Sequence, residues 1–320
     1  AAPLAARWSP SGPALHLDDT RSAGSARHSY GRRALAITEV ALSLMLLIGA
    51  ALLTRSFVAL QQVSLGFDPS RVLTANIGIP IAGRINPARD GAQWSATLNE
   101  ITSRVASAPD VEAAGMVSAL PLSGQYEGGG VRIPGVTYQP GQGPSAAYHV
   151  VTGEYLRAAG IALLHGRVFD IGDDAPGRRT IVINRVLARS LFGSESDAVG
   201  RQLNTTFEWT QDQPPRTIIG VVDVVKQMSP DEEPGPQVFV PLSQMVYPGL
   251  TLVVRARGDA ARDPLLLQDM VKREARAVSP SVTVREVRTM EDVVSHSMAR
   301  QRFSMTLIAV FAALALVLAI

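Results

Sequence analysis

Cysteine is absent from all 320 residues of the chain. Its absence excludes disulfides, thiolate catalysis and thiolate-bound metal sites, and it indicates no particular compartment. Aromatic residues make up only 5% of the sequence. Lysine is nearly missing as well, since only Lys226 and Lys272 stand among 30 basic residues. The formal net charge of +2 gives no sign of a nucleic-acid partner.

Motifs for nucleotide binding and catalysis are missing too. The sequence holds no GxxxxGK[ST] phosphate loop, no GxSxG, no HExxH and no EF-hand loop. The run Gly128–Gly130 lacks the lysine and the following helix that a phosphate cradle needs, so it is more typical of a plain flexible loop. We therefore expect no enzyme activity, and no catalytic, metal or cofactor-binding residue.

Two groups of polar side chains have the composition of a site, but a simpler interpretation is favoured for each. His165 lies eight residues before Asp173 and Asp174, in what is more typical of a solvated loop. The acids Asp231–Glu233 precede a proline, which is the pattern of an exposed turn. A Ser–His–Asp triad stays open, because its members are recognised by geometry and not by sequence spacing.

Two long apolar runs are the strongest positive signal. Leu35–Leu53 carries a single charge, Glu39, and Phe303–Ile320 carries none. At ~1.5 Å per residue, either run is long enough to cross a ~30 Å hydrocarbon core. Buried core helices usually show a polar stripe, which the first run lacks from Val40 onwards, and its leader is too long for a signal peptide. The sequence predicts transmembrane helices at 34–56 and 303–320, the second of them truncated.

Charges beside the spans predict the topology. Residues 1–33 form a flexible basic tail or linker, which the positive-inside rule places in the cytoplasm. The segment 57–302 is then extracytoplasmic. Arg300 and Arg302 argue the opposite way, but long domains translocate largely regardless of charge. Glu39, a carboxylate within a span, is a functional candidate, although water or Arg32 is within its reach.

The segment between the spans predicts an α+β fold. Strand-like alternation at Val72–Ile79, a helical face from Ala88 to Ala106 and a strand at Val111–Ser118 form a βαβ unit, and the pattern returns over 251–287. Paired, the two units make one split sheet of the ferredoxin-like kind, with both helices on one face.

The predicted extracytoplasmic α/β domain has two lobes. Lobe 1 combines about 68–120 with 246–290, and lobe 2, about 121–245, is inserted into it. The first span is expected to continue as a helix to about Phe67.

The exit from the domain is predicted to be a rigid lever. No Gly or Pro occurs from Val282 to Ile320, and these are the residues that usually break helices. We expect Thr289–Arg302 to be helical and to run without a break into the second span. Such a helix would transmit a displacement between membrane and domain.

Several stretches together resemble MacB/FtsX-type ABC transporter permeases, and most closely the duplicated acidobacterial-type branch (ADOP). The resemblance covers about residues 32–320, and its blocks stand in the order of that family. The blocks are ITEVALSLMLLIGAALLTRSFVALQQVSLGFDPSRVLT, EYLRAAGIALLHGRVFD, IVINRVLARSLFG, IIGVVDVV, VFVPLSQM and VRTMEDVVSHSMARQRFSMTLIAVFAALAL.

The resemblance implies a MacB-like periplasmic core domain between the first and second of four transmembrane helices. It also implies a multi-pass protein of the bacterial cytoplasmic (inner) membrane, in contact with membrane lipid. The implied partners are a cytoplasmic ABC ATPase subunit, a second permease subunit or half, and in some members a periplasmic adaptor or outer-membrane channel. Permeases of this kind have no catalytic residues of their own. Since the third and fourth helices are missing, we expect an internal fragment.

Three functions stay open at this point. The leading one is a permease subunit that couples ATP hydrolysis by the ATPase to movement of the external domain, for export or extraction of substrates. The alternative is an FtsX-like, non-transporting regulator that recruits or activates a cell-wall hydrolase. A membrane-anchored enzyme is the third, and a deep pocket lined by converging His, Asp or Ser side chains would favour it.

Overall fold

The computed structural model describes residues 63–318, except 82, 84–86, 140, 175–176, 207–212 and 246, together with residues 30, 33, 37–42, 44–45, 47–52 and 55. The predicted tail at 1–33, apart from two residues, and much of the predicted span at 34–56 lie outside the described residues.

The chain divides into two compact units. One is Val58–Arg302, and the other combines Ala1–Phe57 with Phe303–Ile320. In the second unit, the described residues of both apolar runs are helical. Within the described part of the chain, no helix combines the length and the hydropathy needed to cross a membrane. The two transmembrane helices stay predictions.

The unit Val58–Arg302 contains both strands and helices. The helices are α1 (Pro87–Ala106), α2 (Tyr155–Ala158), α3 (Arg185–Phe192), α4 (Glu195–Ala198), α5 (Gln268–Val278) and α6 (Met290–Ser297), and α7 (Ala299–Leu318) begins at its end. The strands are β1 (Val72–Gly78), β2 (Val111–Val117), β3 (Gly128–Arg132), β4 (Ser145–Gly153), β5 (Leu163–Gly166), β6 (Thr180–Asn184), β7 (Gln202–Thr205), β8 (Arg216–Val222), β9 (Gln237–Pro241), β10 (Gly249–Ala256) and β11 (Thr283–Thr289).

The strands of the two βαβ units lie side by side in the order β11–β1–β10–β2, and all neighbours are antiparallel. Each unit is thus split by a strand of the other. In this register Leu73 stands opposite Val254, and Leu252 opposite Met116. The alternation seen in the sequence therefore places one row of apolar residues on the same face of all the central strands.

The inserted segment adds a ring of strands. Strand β4 pairs with β2 through its last three residues and with β3 and β9 through its first part. From there the pairings run β3–β7–β8–β6–β9 and return to β4, while β5 pairs with β8. The strands of both predicted lobes are thus joined in one sheet, and the division into lobes at 120 and 246 stays a prediction.

Two hydrophobic clusters cover the two faces of this sheet. On β1, Leu73 and Ile77 belong to the first cluster and Val72 to the second. Helices α1 and α5 contribute Leu98 and Val271 to the first cluster, so both crossover helices pack on one face. Helices α2 and α6 contribute to the second cluster. Since residues of both βαβ units and of the ring belong to each cluster, the unit has a shared core.

Helix α3 shows how the local sequence fixes an element in the ring. Asn184 ends β6, and its side-chain oxygen accepts the backbone N–H of Leu187 as an N-cap. Its amide also donates to the carbonyl of Gly235, and its oxygen accepts the N–H of Gln237. One buried side chain therefore caps the helix and ties it to β9.

Two expectations about loops and helices are wrong. The Gly128–Gly130 loop is part of strand β3, in which Gly128 pairs with Ala147. Glycine has low strand propensity, but a Cβ at Gly128 would come within 2.9 Å of the Tyr126 ring, so glycine permits the close packing here. The helix expected to run from the first span to Phe67 is absent from 63–67, which are irregular.

The prediction of an unbroken helix from Thr289 into the second apolar run is also wrong. Residues up to Thr289 belong to β11, α6 begins only at Met290, and Met298 forms a turn that separates α6 from α7. The side chain of Met298 is buried, at 7% exposure. Packing therefore overrides the helical propensity at this position, and the continuous lever is not present.

Gly115 provides a test of the packing between β2 and α2. A Cβ at this position would lie 2.3 Å from the backbone nitrogen of Tyr155 and 2.6 Å from the carbonyl oxygen of Thr152. We expect Gly115→Ala to lower the free energy of unfolding by about 2–3 kcal/mol, because backbone must move. The matched control is Gly235→Ala, since nothing lies within 4 Å of its Cβ. Thermal unfolding followed by tryptophan fluorescence, which reports the buried Trp94, measures the difference. Equal melting temperatures would contradict the packing.

Candidate functional site

Within the unit Val58–Arg302, the first described residues and the last helix but one meet at one place, which we call the junction. It consists of the incoming segment, residues 65–72, and the outgoing helix α6. The incoming segment is tied down by its backbone. The carbonyl of Leu65 accepts the N–H of Lys226, and the N–H of Asp68 donates to the carbonyl of Ala159. Between them, Gly66 has a φ of +79°, and a Cβ there would lie only 1.6 Å from the Val224 carbonyl oxygen. Only glycine fits this approach.

Arg255 is the centre of the junction. It lies on β10 and is only 4% exposed. Its Nε donates to the carbonyl of Ala158 at 3.0 Å, Nη1 contacts the Asp68 carboxylate at 2.8 Å, and Nη2 donates to the Asp68 carbonyl at 3.0 Å. A buried guanidinium is tolerated only where its donors find such acceptors. The one side chain therefore joins the incoming segment to β10 and to the end of α2.

Asp68 is held in its charged form. Burial acts to raise the pKa of its carboxyl, but hydrogen bonds from the Ser70 hydroxyl and backbone, and then from Arg255, outweigh burial and hold the pKa below its ordinary value. The Ser70 hydroxyl donates to Oδ1 at 2.7 Å, while Arg255 occupies Oδ2. The folded state therefore keeps this ion pair at neutral pH.

Apolar packing joins the incoming segment to the outgoing helix. Phe67 and Val72 belong to the same buried cluster as Met290 and Val293 of α6. Leu65 and Val294 pack against that cluster from its edge. Burying four such side chains contributes about 1.5–3 kcal/mol each. The two ends of the domain, about 220 residues apart in sequence, are thus held in one core.

The start of the outgoing helix is fixed by a capping box. The Thr289 hydroxyl accepts the backbone N–H of Asp292, and the Asp292 carboxylate accepts the backbone N–H of Thr289. The helix therefore begins at a defined residue where β11 ends. The contacts described for the junction are hydrogen bonds, one ion pair and apolar packing, which suit mechanical attachment.

The side chains considered from sequence do not assemble into a site. His165 lies exposed on β5, while Asp173 is buried and pairs with Arg167 through two contacts of 2.6 and 2.8 Å. Burial acts to raise the pKa of Asp173, but the Arg167 hydrogen bonds outweigh it and lower the pKa. Asp231–Glu233 lie in an exposed turn. Among the described residues, no group of acids and histidines could hold a metal ion.

Glu39 is helical and half-buried, and it lies in the unit that combines Ala1–Phe57 with Phe303–Ile320. Arg32, its expected partner, lies outside the described residues. The junction itself was missed from sequence. Its signals were a lone aspartate after the first apolar run and a lone arginine within an apolar strand.

Among the described residues, His149 is the one histidine in the core. It lies on β4 at 2% exposure, with its ring stacked on Phe239 at a centroid distance of 5.0 Å. Neither ring nitrogen has a hydrogen-bond partner among the described residues. Burial lowers the pKa of His149 to about 4, and the backbone of Ala119 opposes this shift only weakly. The imidazole is therefore neutral at physiological pH.

Comparison with known proteins agrees with this architecture. The fold is a mixed α/β domain in which a split βαβ sheet carries an inserted ring of strands. Residues 34–268 match the family model of the MacB-like periplasmic core domain. The chain belongs to that family, and both the predicted family and the mixed α/β class are confirmed.

Two solved structures are among the similar ones. The periplasmic region of MacB from Actinobacillus actinomycetemcomitans is 11% identical, with a TM-score of 0.43, and the match covers 73% of this chain and 95% of that one. The extracellular domain of the noncanonical ABC-type transporter YknZ from Gram-positive bacteria is 14% identical, with a TM-score of 0.40, and the match covers 67% of this chain and all of that one, at 100%. No curated protein matches the chain.

Removing the arginine at the centre of the junction tests its role. Arg255→Ala removes the guanidinium that donates to the Asp68 carboxylate and to the carbonyls of Ala158, Asp68 and Ser70. We expect a loss of about 2–3 kcal/mol in the free energy of unfolding, less than for a fully buried pair because Asp68 is partly exposed. The matched control is Arg157→Ala, whose ion pair with Glu154 is exposed on both sides and contributes below about 0.5 kcal/mol. Denaturant titration of both variants measures the difference. Equal losses would refute the clamp.

The buried histidine predicts a pH dependence. The pKa of His149 is about 4 in the folded state against 6.5 in its ordinary state, so the unfolded chain binds more protons between these values. Its contribution to stability is complete above pH 6.5 and is lost as pH falls towards 4, by about 3 kcal/mol. The melting temperature of His149→Leu should therefore fall less over this pH range than that of the parent protein. The melting temperature of the exposed His165→Gln variant should fall as much as that of the parent. An equal fall in melting temperature for His149→Leu and the parent would contradict the prediction.

Proposed function

We propose that this chain is part of a permease subunit of a MacB-like ABC transporter, with the unit Val58–Arg302 outside the cytoplasm. The family match over 34–268 supports this. The apolar runs at 34–56 and 303–320 are its transmembrane helices in this proposal. The subunit couples ATP hydrolysis by a partner to movement of its external domain, for export or extraction of substrates.

The junction is the observation that carries the proposal. The segment that follows the first apolar run and the helix that precedes the second share one buried cluster. A displacement that arrives along either segment therefore acts on the same core, and the Arg255 clamp passes it to β10. The turn at Met298 rules out one continuous helical lever, so in this proposal the two segments act together through their packing.

ATP hydrolysis belongs to a separate cytoplasmic ABC ATPase subunit in this proposal, because the sequence has no phosphate loop. A second permease subunit or half completes the transporter. Membrane lipid surrounds the spans, and a periplasmic adaptor or an outer-membrane channel is a further partner. The chain itself is then neither an ATPase nor another enzyme.

Hydrogen exchange at the junction tests this coupling. The transporter that contains this chain is reconstituted with its ATPase, and exchange is compared with and without ATP turnover. We expect exchange in peptides covering 65–72 and 290–297 to change together during turnover, because both segments bear on one core. The peptide covering the fully buried strand Thr180–Asn184 serves as the internal control and should not change.

An ATPase variant unable to hydrolyse ATP provides the matched control and should abolish the change. Active hydrolysis with no change at either junction segment would refute coupling through this domain. A change produced by ATP on the permease chain alone would refute the assignment of nucleotide binding to a partner.

A further inference from the structure

A polar cleft of about 230 Å³ lies on the sheet face opposite α1 and α5. On this face, β1 is apolar at Val72 but polar at Thr74 and Asn76. The cleft is lined almost entirely by polar side chains from β1, β10, β11 and the loop after β2. They are Thr74, Asn76, Ser123, Gln125, Thr251, Glu286 and Arg288, with Leu120 at one side.

A β-bulge in β11 places two charges at this cleft. Thr74 pairs with Arg288 and Asn76 with Arg285, so two residues of β11 stand opposite Ala75. Glu286, within the bulge, has a φ of +50°, a conformation that costs a non-glycine residue energy. The extra residue lets Val284 and Val287 both pack on the core, and it leaves Glu286 and Arg288 beside the cleft.

The floor of the cleft is a chain of hydrogen bonds. The Thr251 hydroxyl donates to Asn76 Oδ1 at 3.1 Å, and Asn76 Nδ2 donates to Glu286 Oε2 at 3.2 Å. The orientation of the amide is therefore fixed. Among the described residues, Glu286 Oε1 has no hydrogen bond or ion pair, so this carboxylate keeps capacity to accept.

Arg288 is the unused donor of the cleft. Its side chain is 34% exposed, and within the described residues its guanidinium has a single charged contact, 3.9 Å from Glu286 Oε2, and no hydrogen bond. A guanidinium carries five N–H donors. Arg255, by contrast, finds acceptors for its donors within the protein. This half-buried arginine therefore keeps donors that can bind an acceptor from outside the chain.

The loop after β2, which lines part of the cleft, is held in place by a buried side chain. Gln227 Nε2 donates to the carbonyls of Ala119 and Gln125, each at 3.2 Å, and the carbonyl of Gln227 accepts the N–H of Leu122. The loop after β2 is therefore fixed from beneath, so the cleft is formed before any ligand arrives.

We propose that this cleft binds a small amino acid-type zwitterion, with its carboxylate on Arg288 and its ammonium group on Glu286. One carbon separates the two charges of such a ligand, which matches a guanidinium and a carboxylate 3.9 Å apart. The hydroxyl and amide groups of the cleft floor form hydrogen bonds with a polar side chain of the ligand. The volume lies below the ~300–1,000 Å³ of sites for drug-sized ligands. The proposal concerns binding alone and does not rest on the transport function.

Calorimetric titration of the full chain with L-serine, in a buffer free of amines and carboxylates, tests the site. We expect saturable binding of L-serine, and at least about tenfold weaker binding of acetate and of ethanolamine, since each offers only one of the two charges. Arg288→Gln and Glu286→Gln should each weaken L-serine binding by about tenfold or more.

The matched control is Arg285→Gln on the same strand, because Arg285 is not among the residues that line the cleft. This variant should bind L-serine like the parent, and melting curves should show that all three variants are folded. No binding of L-serine up to about 10 mM would overturn the proposal. Binding of acetate as tight as that of L-serine, unaffected by Glu286→Gln, would overturn it as well, since it would show a site for anions alone.

Discussion

The buried guanidinium of Arg255 is the contact on which the rest of this domain depends. Removing such a charge from water costs several kcal/mol unless its donors are satisfied, and here the acceptors come from the incoming segment and the end of α2. Asp68 and the carbonyl of Ser70 must therefore stay in place for the donors of the guanidinium to remain satisfied. Because β10 lies between β1 and β2, this one side chain ties the incoming segment to the middle of the split sheet.

Much of the fold could be predicted from the sequence, because alternation and helical faces report burial directly. The strand expected at Val72–Ile79 and the helix expected from Ala88 to Ala106 are found at Val72–Gly78 and Pro87–Ala106. Strand β3 could not be predicted, since its three glycines carry no alternation and are fixed by pairing with β4. Met298 ends α6 although nothing in the local sequence breaks a helix, and its side chain is buried at this turn.

The candidate sites were harder to predict for the same reason. The partners Asp68 and Arg255 are 187 residues apart, so neither motif nor spacing marks them. In the cleft, strict alternation along TVREVRT would place Val287 on the polar face, and only the bulge in β11 brings it into the core. A bulge depends on pairing with the neighbouring strand, and the sequence of β11 alone does not contain that pairing.

Strand β4 has a consequence for how this sequence can change over time. Its first residues complete the ring with β3 and β9, and its last three extend β2. Side chains alternate between faces with a period of two. Gain or loss of a single residue between Ser145 and Gly153 would therefore keep one half of the strand in register and turn the side chains of the other half to the opposite face of the sheet. This change would bury polar groups and expose Val150 or its neighbours. Relatives should vary freely in the length of their loops, while this nine-residue strand keeps its length.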